Sequence, residues 1–202
     1  GNGGSDRAIV NDGNSDLQPD WVWYKSRSHA TSHITYDSSR GDGPYLKPSD
    51  TGDEGTDANM FESFDSDGFS LNGDTDGNGS GRTYVAWQWK ANGGTTASNS
   101  SGSVTSTTQV NSDAGFSIVT FESASSGNFS VGHGLGVQPA MIITKNREGT
   151  SQWYTWHQHL TGGTGNTSYL LSLNRTDAQE SYSNAWGAGV TSSVFGMQSG
   201  NT

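Results

Sequence analysis

Cysteine is absent from the 202 residues, which excludes a disulfide framework and any thiolate metal site. Stability must then come from sheet hydrogen bonds and apolar burial. Basic residues are scarce: Lys and Arg number 10 against 20 Asp and Glu, for a net charge of -10. A field of that sign repels phosphate, so no nucleic acid partner is expected. No apolar run approaches the roughly 18 residues that a membrane helix needs, and no basic patch with an apolar stretch opens the chain. A soluble protein with no membrane contact is expected, either mature or excerpted from a longer one. Apolar residues make up only 29%, yet Trp, Tyr and Phe number 7 each. That is not the composition of a disordered chain, and a few large rings must carry much of the burial.

Apolar and aromatic residues arrive in short bursts between Gly, Asn, Asp and Ser, the pattern of strands and turns. The bursts predict strands over 20–25, 32–37, 68–71, 83–90, 115–121, 140–145, 152–157, 168–173 and 192–197. No 11-residue window shows helical periodicity. An all-β sandwich follows, its two sheets burying their inner faces together. Alternation along 83–90 puts Val85, Trp87 and Trp89 on one face and Tyr84, Ala86 and Gln88 on the other. The tryptophan face is expected to be core. Trp21 and Trp23 likewise share a face opposite Val22 and Tyr24.

Residues 92–112 are rich in Ser, Thr and Gly, with only Val104 and Val110 to bury, and read as a linker or long surface loop. On either side the chain repeats itself. Gln18-Pro19 recurs as Gln138-Pro139, Lys25-Ser26-Arg27 as Lys145-Asn146-Arg147, and Tyr36-Asp37 as Trp156-His157, all at one offset of 120 (138 − 18). Ser66 to Leu71 pairs with Ser192 to Met197 at 126 (192 − 66). The expected domains are therefore 1–91, a first β-sandwich repeat without its opening strand, and 113–202, a second without its closing strand.

The same residues carry a family resemblance. Gly115-Phe116-Ser117-Ile118-Val119-Thr120, then Val131-Gly132-His133-Gly134-Leu135-Gly136-Val137-Gln138-Pro139, then Lys145-Asn146-Arg147, with Tyr84-Val85-Ala86-Trp87-Gln88-Trp89-Lys90 closing the earlier copy, resemble the tandem β-rich domain of marine bacteriophage tail-fibre and virion surface proteins. The resemblance covers nearly the whole chain. It implies two related antiparallel β-sandwich units of jelly-roll or concanavalin-like type in tandem, without catalytic residues. It also implies that the missing strands belong either to a longer protein of which this is an excerpt or to neighbouring subunits that donate them.

Candidate chemistry is sparse. Asp74, Asp76 and Asn78 imitate the opening of a calcium loop, but the twelfth position is Val85 instead of a bidentate Glu. An Asn/Asp/Gly hairpin turn is expected there, and no metal. Asp50, Asp53, Glu54 and Asp57 read as a solvated loop. His157 and His159 have metal-ligand spacing without a fixed third ligand, and His133 is expected to pin a tight turn through its ring nitrogens. Lys25, Arg27, Lys145 and Arg147 recur at matching strand ends and are expected to bind turn carbonyls or acids. No carboxylate pair suited to glycan hydrolysis stands out, so neither an enzyme nor a cofactor is expected.

Tyr45, Trp153 and Trp186 are the candidate residues for stacking on sugar rings. The resulting expectation is a virion structural protein at the virion surface, a tail fibre or surface appendage. It would self-associate as a trimer or filament with other virion proteins and adhere to host-surface glycan. Two alternatives stay open: a secreted bacterial glycan-binding module or polysaccharide-active enzyme domain, and a capsid decoration or filament protein without a ligand.

Overall fold

In the computed structural model, residues 1–14 and 16–200 are described; Asn201 and Thr202, the last positions of the expected second repeat, lie outside them. The chain is all-β and divides into two compact units, Gly1–Gly94 and Thr95–Thr202.

Unit 1 contains β1 (Arg7–Val10), β2 (Trp21–Ser26), β3 (Ile34–Asp37), β4 (Gly41–Leu46), β5 (Gly55–Thr56), β6 (Phe61–Asp65), β7 (Gly68–Leu71), a single-turn helix α1 (Thr75–Asn78) and β8 (Tyr84–Trp89). They form two antiparallel sheets, ordered β5-β4-β3-β2-β8 and β1-β7-β6. Val22, Tyr24, Ile34 and Tyr36 from the first sheet meet Phe61, Phe69 and Leu71 from the second in one buried cluster. Tyr36 stacks on Phe61 with ring centroids 4.4 Å apart. Such an offset aromatic pair adds about 0.5–1.5 kcal/mol to its area burial, so few residues suffice to hold the layers.

Unit 2 contains β9 (Ala97–Asn99), β10 (Ser106–Asn111), β11 (Phe116–Phe121), β12 (Asn128–Gly132), β13 (Met141–Thr144), β14 (Tyr154–His157), β15 (Tyr169–Ser172), β16 (Glu180–Ser181) and β17 (Val194–Gln198). Its sheets run β13-β14-β15-β16, β12-β17 and β11-β10-β9. Phe129, Val131, Trp156, Leu170, Trp186, Phe195 and Met197 are buried together, with Val119 and Phe121 packed against them.

The stretch 92–112, expected as a linker or long loop, thus supplies two strands. Polar side chains within these strands find partners: Ser106 Oγ donates to Gly132 O at 2.7 Å and Thr108 Oγ1 to Ala97 O at 3.3 Å. A buried strand can be hydrophilic when its hydroxyls are bonded, and apolar patterning does not report such a strand.

Strand registers recur between the units. β2–β3 sets Trp21 opposite Asp37 and Tyr24 opposite Ile34, and β13–β14 sets Met141 opposite His157 and Thr144 opposite Tyr154, 120 positions on (141 − 21). β4–β5 sets Tyr45 opposite Gly55, and β15–β16 sets Leu170 opposite Glu180, 125 positions on (170 − 45). Ile9 faces Phe69 in β1–β7, and Val131 faces Phe195 in β12–β17. Even the Phe64–Phe69 pairing of β6–β7 returns as the isolated bridge Val190–Phe195. Among the described residues, β8 and α1 have no counterpart in unit 2, and β9 to β11 have none in unit 1.

Candidate functional site

Two short motifs of the same form, Trp21-Val22-Trp23 and Trp87-Gln88-Trp89, lie on neighbouring strands. Pairing β2 with β8 sets Trp21 opposite Trp89 and Trp23 opposite Trp87. Because alternate side chains leave a strand on opposite faces, all four indoles project from one side of the sheet while Val22 and Tyr24 enter the core. Ring centroids stand 5.8 Å apart for Trp21–Trp23, 4.6 Å for Trp21–Trp89 and 6.0 Å for Trp23–Trp87. Trp87 is 44% exposed and the other three are partly exposed.

This overturns the expectation that the tryptophan face is core. Alternation fixes which residues share a face, but the covering sheet decides which face is buried. Here β6 and β7 bring Phe61 and Phe69 to the Val22 and Tyr24 side.

The ladder has a polar end. Trp23 Nε1 donates to His33 Nδ1 at 3.0 Å, with the two rings edge to face. The imidazole is held below its ordinary value of 6.5 by burial first and by the charge of Lys25 second. Neutral His33 therefore keeps a lone pair for the indole N–H. The arrangement is a hydrophobic platform with one fixed donor–acceptor pair, suited to stacking against a flat apolar ring face.

The residues expected to stack on sugars are placed differently. Trp153 and Trp186 are 5% and 1% exposed, and Trp186 Nε1 donates to Tyr169 O at 3.0 Å, so both are core residues closed to a ligand. Bulk and a single polar group suit tryptophan to either setting; Trp186 lies outside every predicted strand, and Trp153 lies in the predicted strand 152–157, whose alternation does not say which face is covered. Tyr45 is partly buried: its ring lies over Gly55, where a Cβ would come within 2.5 Å of Cζ, and Lys47 Nζ stands 5.4 Å above the ring centroid.

The calcium-like residues do not form a loop around a cation. Asp74 caps α1 by accepting from Asp76 N at 2.7 Å, so a helical turn replaces the expected hairpin turn. Asn78 is 1% exposed and its amide donates to Asn2 Oδ1 and Gly4 O. Among the described residues, no group of three or more His, Cys, Asp or Glu is placed to hold a metal.

Glu54 is no solvated acid. It joins Arg40, whose side chain is 4% exposed, at 2.8 Å, and Arg40 also meets Asp37 at 2.5 Å. His157 Nδ1 accepts from His159 N at 3.2 Å, which occupies that ring nitrogen. His133, 2% exposed, accepts from Leu135 N at 3.2 Å and sits 3.3 Å from Thr191 O, so it does pin a turn.

Sequence reasoning missed Asp20. It is fully buried and its carboxylate accepts from Ser38 Oγ (2.6 Å), Ala91 N (2.7 Å), Gly93 N (3.0 Å) and Gly94 N (2.9 Å). Charged acceptors bond backbone amides strongly, so Asp20 clamps the chain leaving β8 and holds the outer strand of the ladder in place. Its only signal was an acid as the first residue of a predicted apolar strand.

The chain belongs to the DUF7483 family. That family is described as a domain of unknown function, and its model matches residues 1–202. No curated protein and no solved structure matches the chain.

Proposed function

We propose that this DUF7483 chain is a structural and adhesive segment of a bacteriophage virion surface protein, in a tail fibre or surface appendage, and that it acts by binding and not by catalysis. Its two units are read as diverged copies of one β unit, which the recurring registers support. Such units suit assembly with other copies and other virion proteins outside the host cell.

The observation that carries the adhesive part is the exposed ladder of Trp21, Trp23, Trp87 and Trp89. Indole faces attract the C–H-rich faces of pyranose rings, while the strands fix the spacing of the rings before any ligand arrives, so little ordering entropy is lost on binding. The glycan site is therefore assigned to this ladder in place of Trp153 and Trp186.

A glycan array probed with the intact protein and with Trp87→Ala tests the reading. Trp87 is the most exposed of the four, so its removal is expected to weaken binding about tenfold or more while circular dichroism stays unchanged. One stacked aromatic contributes on the order of 1–2 kcal/mol. An array with no bound glycan removes adhesion and leaves a decoration or filament protein. The ladder would serve a secreted bacterial glycan-binding module equally well, and genes for portal or terminase proteins beside this one, against genes for polysaccharide breakdown, separate those readings.

A further inference from the structure

The two units differ at one edge, and the difference defines a binding surface. In β13–β14, Gln158 N donates to Ala140 O at 3.0 Å, in register with the ladder. Antiparallel pairing alternates direction along a strand, so even-numbered residues of β13 bond to β14, and Met141 and Ile143 turn their N–H and C=O groups to the other side. No strand pairs on that side among the described residues.

The matching edge in unit 1 is covered. Arg27 N donates to Thr83 O at 2.7 Å, which fixes Trp21, Trp23 and Lys25 as the residues whose backbone faces β8. These are the positions 120 before Met141, Ile143 and Lys145.

A groove of about 1240 Å³ lies beside the open edge, lined in part by Val104, Val119, Phe121 and Thr144. Thr144 stands where unit 1 has Tyr24, whose side chain faces inward. A strand added to β13 would therefore direct alternate side chains into this groove, as Tyr84 and Ala86 of β8 line the corresponding groove of unit 1. On its other side it would meet Met141, which is 48% exposed, and Ile143. Methionine and isoleucine are apolar partners for indole rings, where unit 1 offers Trp21 and Trp23.

We propose that the β13 edge and its groove are a strand-acceptor site, and that its occupant is a β8-type strand from a further copy of the DUF7483 unit, added antiparallel in the β2–β8 register. This stands apart from the adhesion reading, because the acceptor surface lies in unit 2 and contains none of the ladder tryptophans, so loss of either activity leaves the other reading in place. Ala140 stands in place of Asp20, so unit 2 lacks the carboxylate clamp and grips the strand through backbone pairing and the groove alone.

The test uses the intact chain and a labelled synthetic peptide of residues 82–91. In the proposed register Val85, Trp87 and Trp89 present their N–H groups to β13, whereas Ala86 and Gln88 point theirs away. Fluorescence anisotropy is expected to show saturable binding at a single site. N-methylation at Val85 or Trp87 should weaken binding about tenfold, the effect of one lost hydrogen bond and its crowding, while N-methylation at Ala86 or Gln88 should change it less than about threefold.

On the protein, Ile143→Pro removes one outward N–H and leaves the β14 ladder intact; binding should fall by a similar factor. Equal effects of all four N-methylations, full binding by Ile143→Pro, or no binding at a peptide concentration of about 1 mM would each overturn the proposal. The peptide pairs test backbone register without any change to the protein, so they decide the matter even if the proline variant misfolds.

Discussion

At the scale of single residues, His33 shows how one ring nitrogen ties the tryptophan ladder to acidity. Its Nδ1 accepts the Trp23 indole N–H, and that requires a lone pair which a proton would occupy. Burial and Lys25 lower its titration below 6.5 in the folded chain, so the folded state binds this proton less readily than the unfolded one. Any stabilisation from the neutral ring is thus complete above about 6.5, shrinks as pH falls through that value, and is gone below the folded value. Tryptophan fluorescence should accordingly show an acid transition with a midpoint below 6.5, absent in His33→Leu. A midpoint at or above 6.5, or an unchanged transition in the variant, would contradict the assigned bond.

At the scale of elements, the repeated lysines act as turn locks. Lys25 Nζ donates to Ser26 O at 2.5 Å and His29 O at 3.2 Å, and Lys145 Nζ to Asn146 O at 2.7 Å and Gly149 O at 3.2 Å. The same donors reach carbonyls at the same spacing, 120 residues apart, and Lys145 adds Ser151 Oγ at 3.2 Å. A compact ammonium with three donors fits convergent carbonyls, and a planar guanidinium does not. Chemical denaturation of Lys145→Met should give a loss of about 1–2 kcal/mol, given partial exposure and the usual worth of charge-assisted bonds, with Lys145→Arg failing to restore it. A ligand role instead of a structural one would leave the denaturation midpoint in place.

These locks, and all nine strands marked by aromatic bursts, were legible in the sequence because apolar alternation and exact repetition of side-chain chemistry are local signals. Eight strands escaped: β1, β6 and β12 do carry apolar residues, Ile9 and Val10, Phe61 and Phe64, and Phe129 and Val131, in bursts shorter than those of the nine, and β4, β5, β9, β10 and β16 lack such a signal. β4 carries Gly41, Gly43 and Pro44, β10 is built largely of Ser, Thr and Gln, and β5 and β16 are two residues long. Partner changes were equally hidden. The turn after β3 holds Arg40 in a buried ion network, whereas the matching turn after β14 buries Leu160; both close with the same bond, Arg40 N to Asp37 O at 3.2 Å and Leu160 N to His157 O at 3.0 Å. Sequence comparison saw the backbone plan and could not tell which chemistry would fill it.

At the scale of the whole molecule, two small cores are obtained from a chain with only 29% apolar residues, and at some glycines backbone segments come close where a side chain is missing. Gly196 of β17 is such a point: a Cβ there would lie 2.2 Å from Trp186 O and 2.6 Å from Ala188 N. Both are backbone atoms, and they belong to the segment that carries the fully buried Trp186 and receives the bond from Gly196 N to Gly189 O at 2.7 Å. Relief would require moving that segment and unseating the indole from Phe129, Trp156 and Phe195. In unit 1 the close approach falls elsewhere, at Gly68, where a Cβ would lie 2.0 Å from Ile9 O and φ is +110°. There the strain comes from backbone conformation as well as from contact. Gly196→Ala should therefore cost about 2–4 kcal/mol through overpacking and speed amide exchange across β12 and β17, and Gly68→Ala should do the same across β1 and β7. A Gly196→Ala protein whose β17 amides exchange at the parental rate would show that this close approach yields without cost.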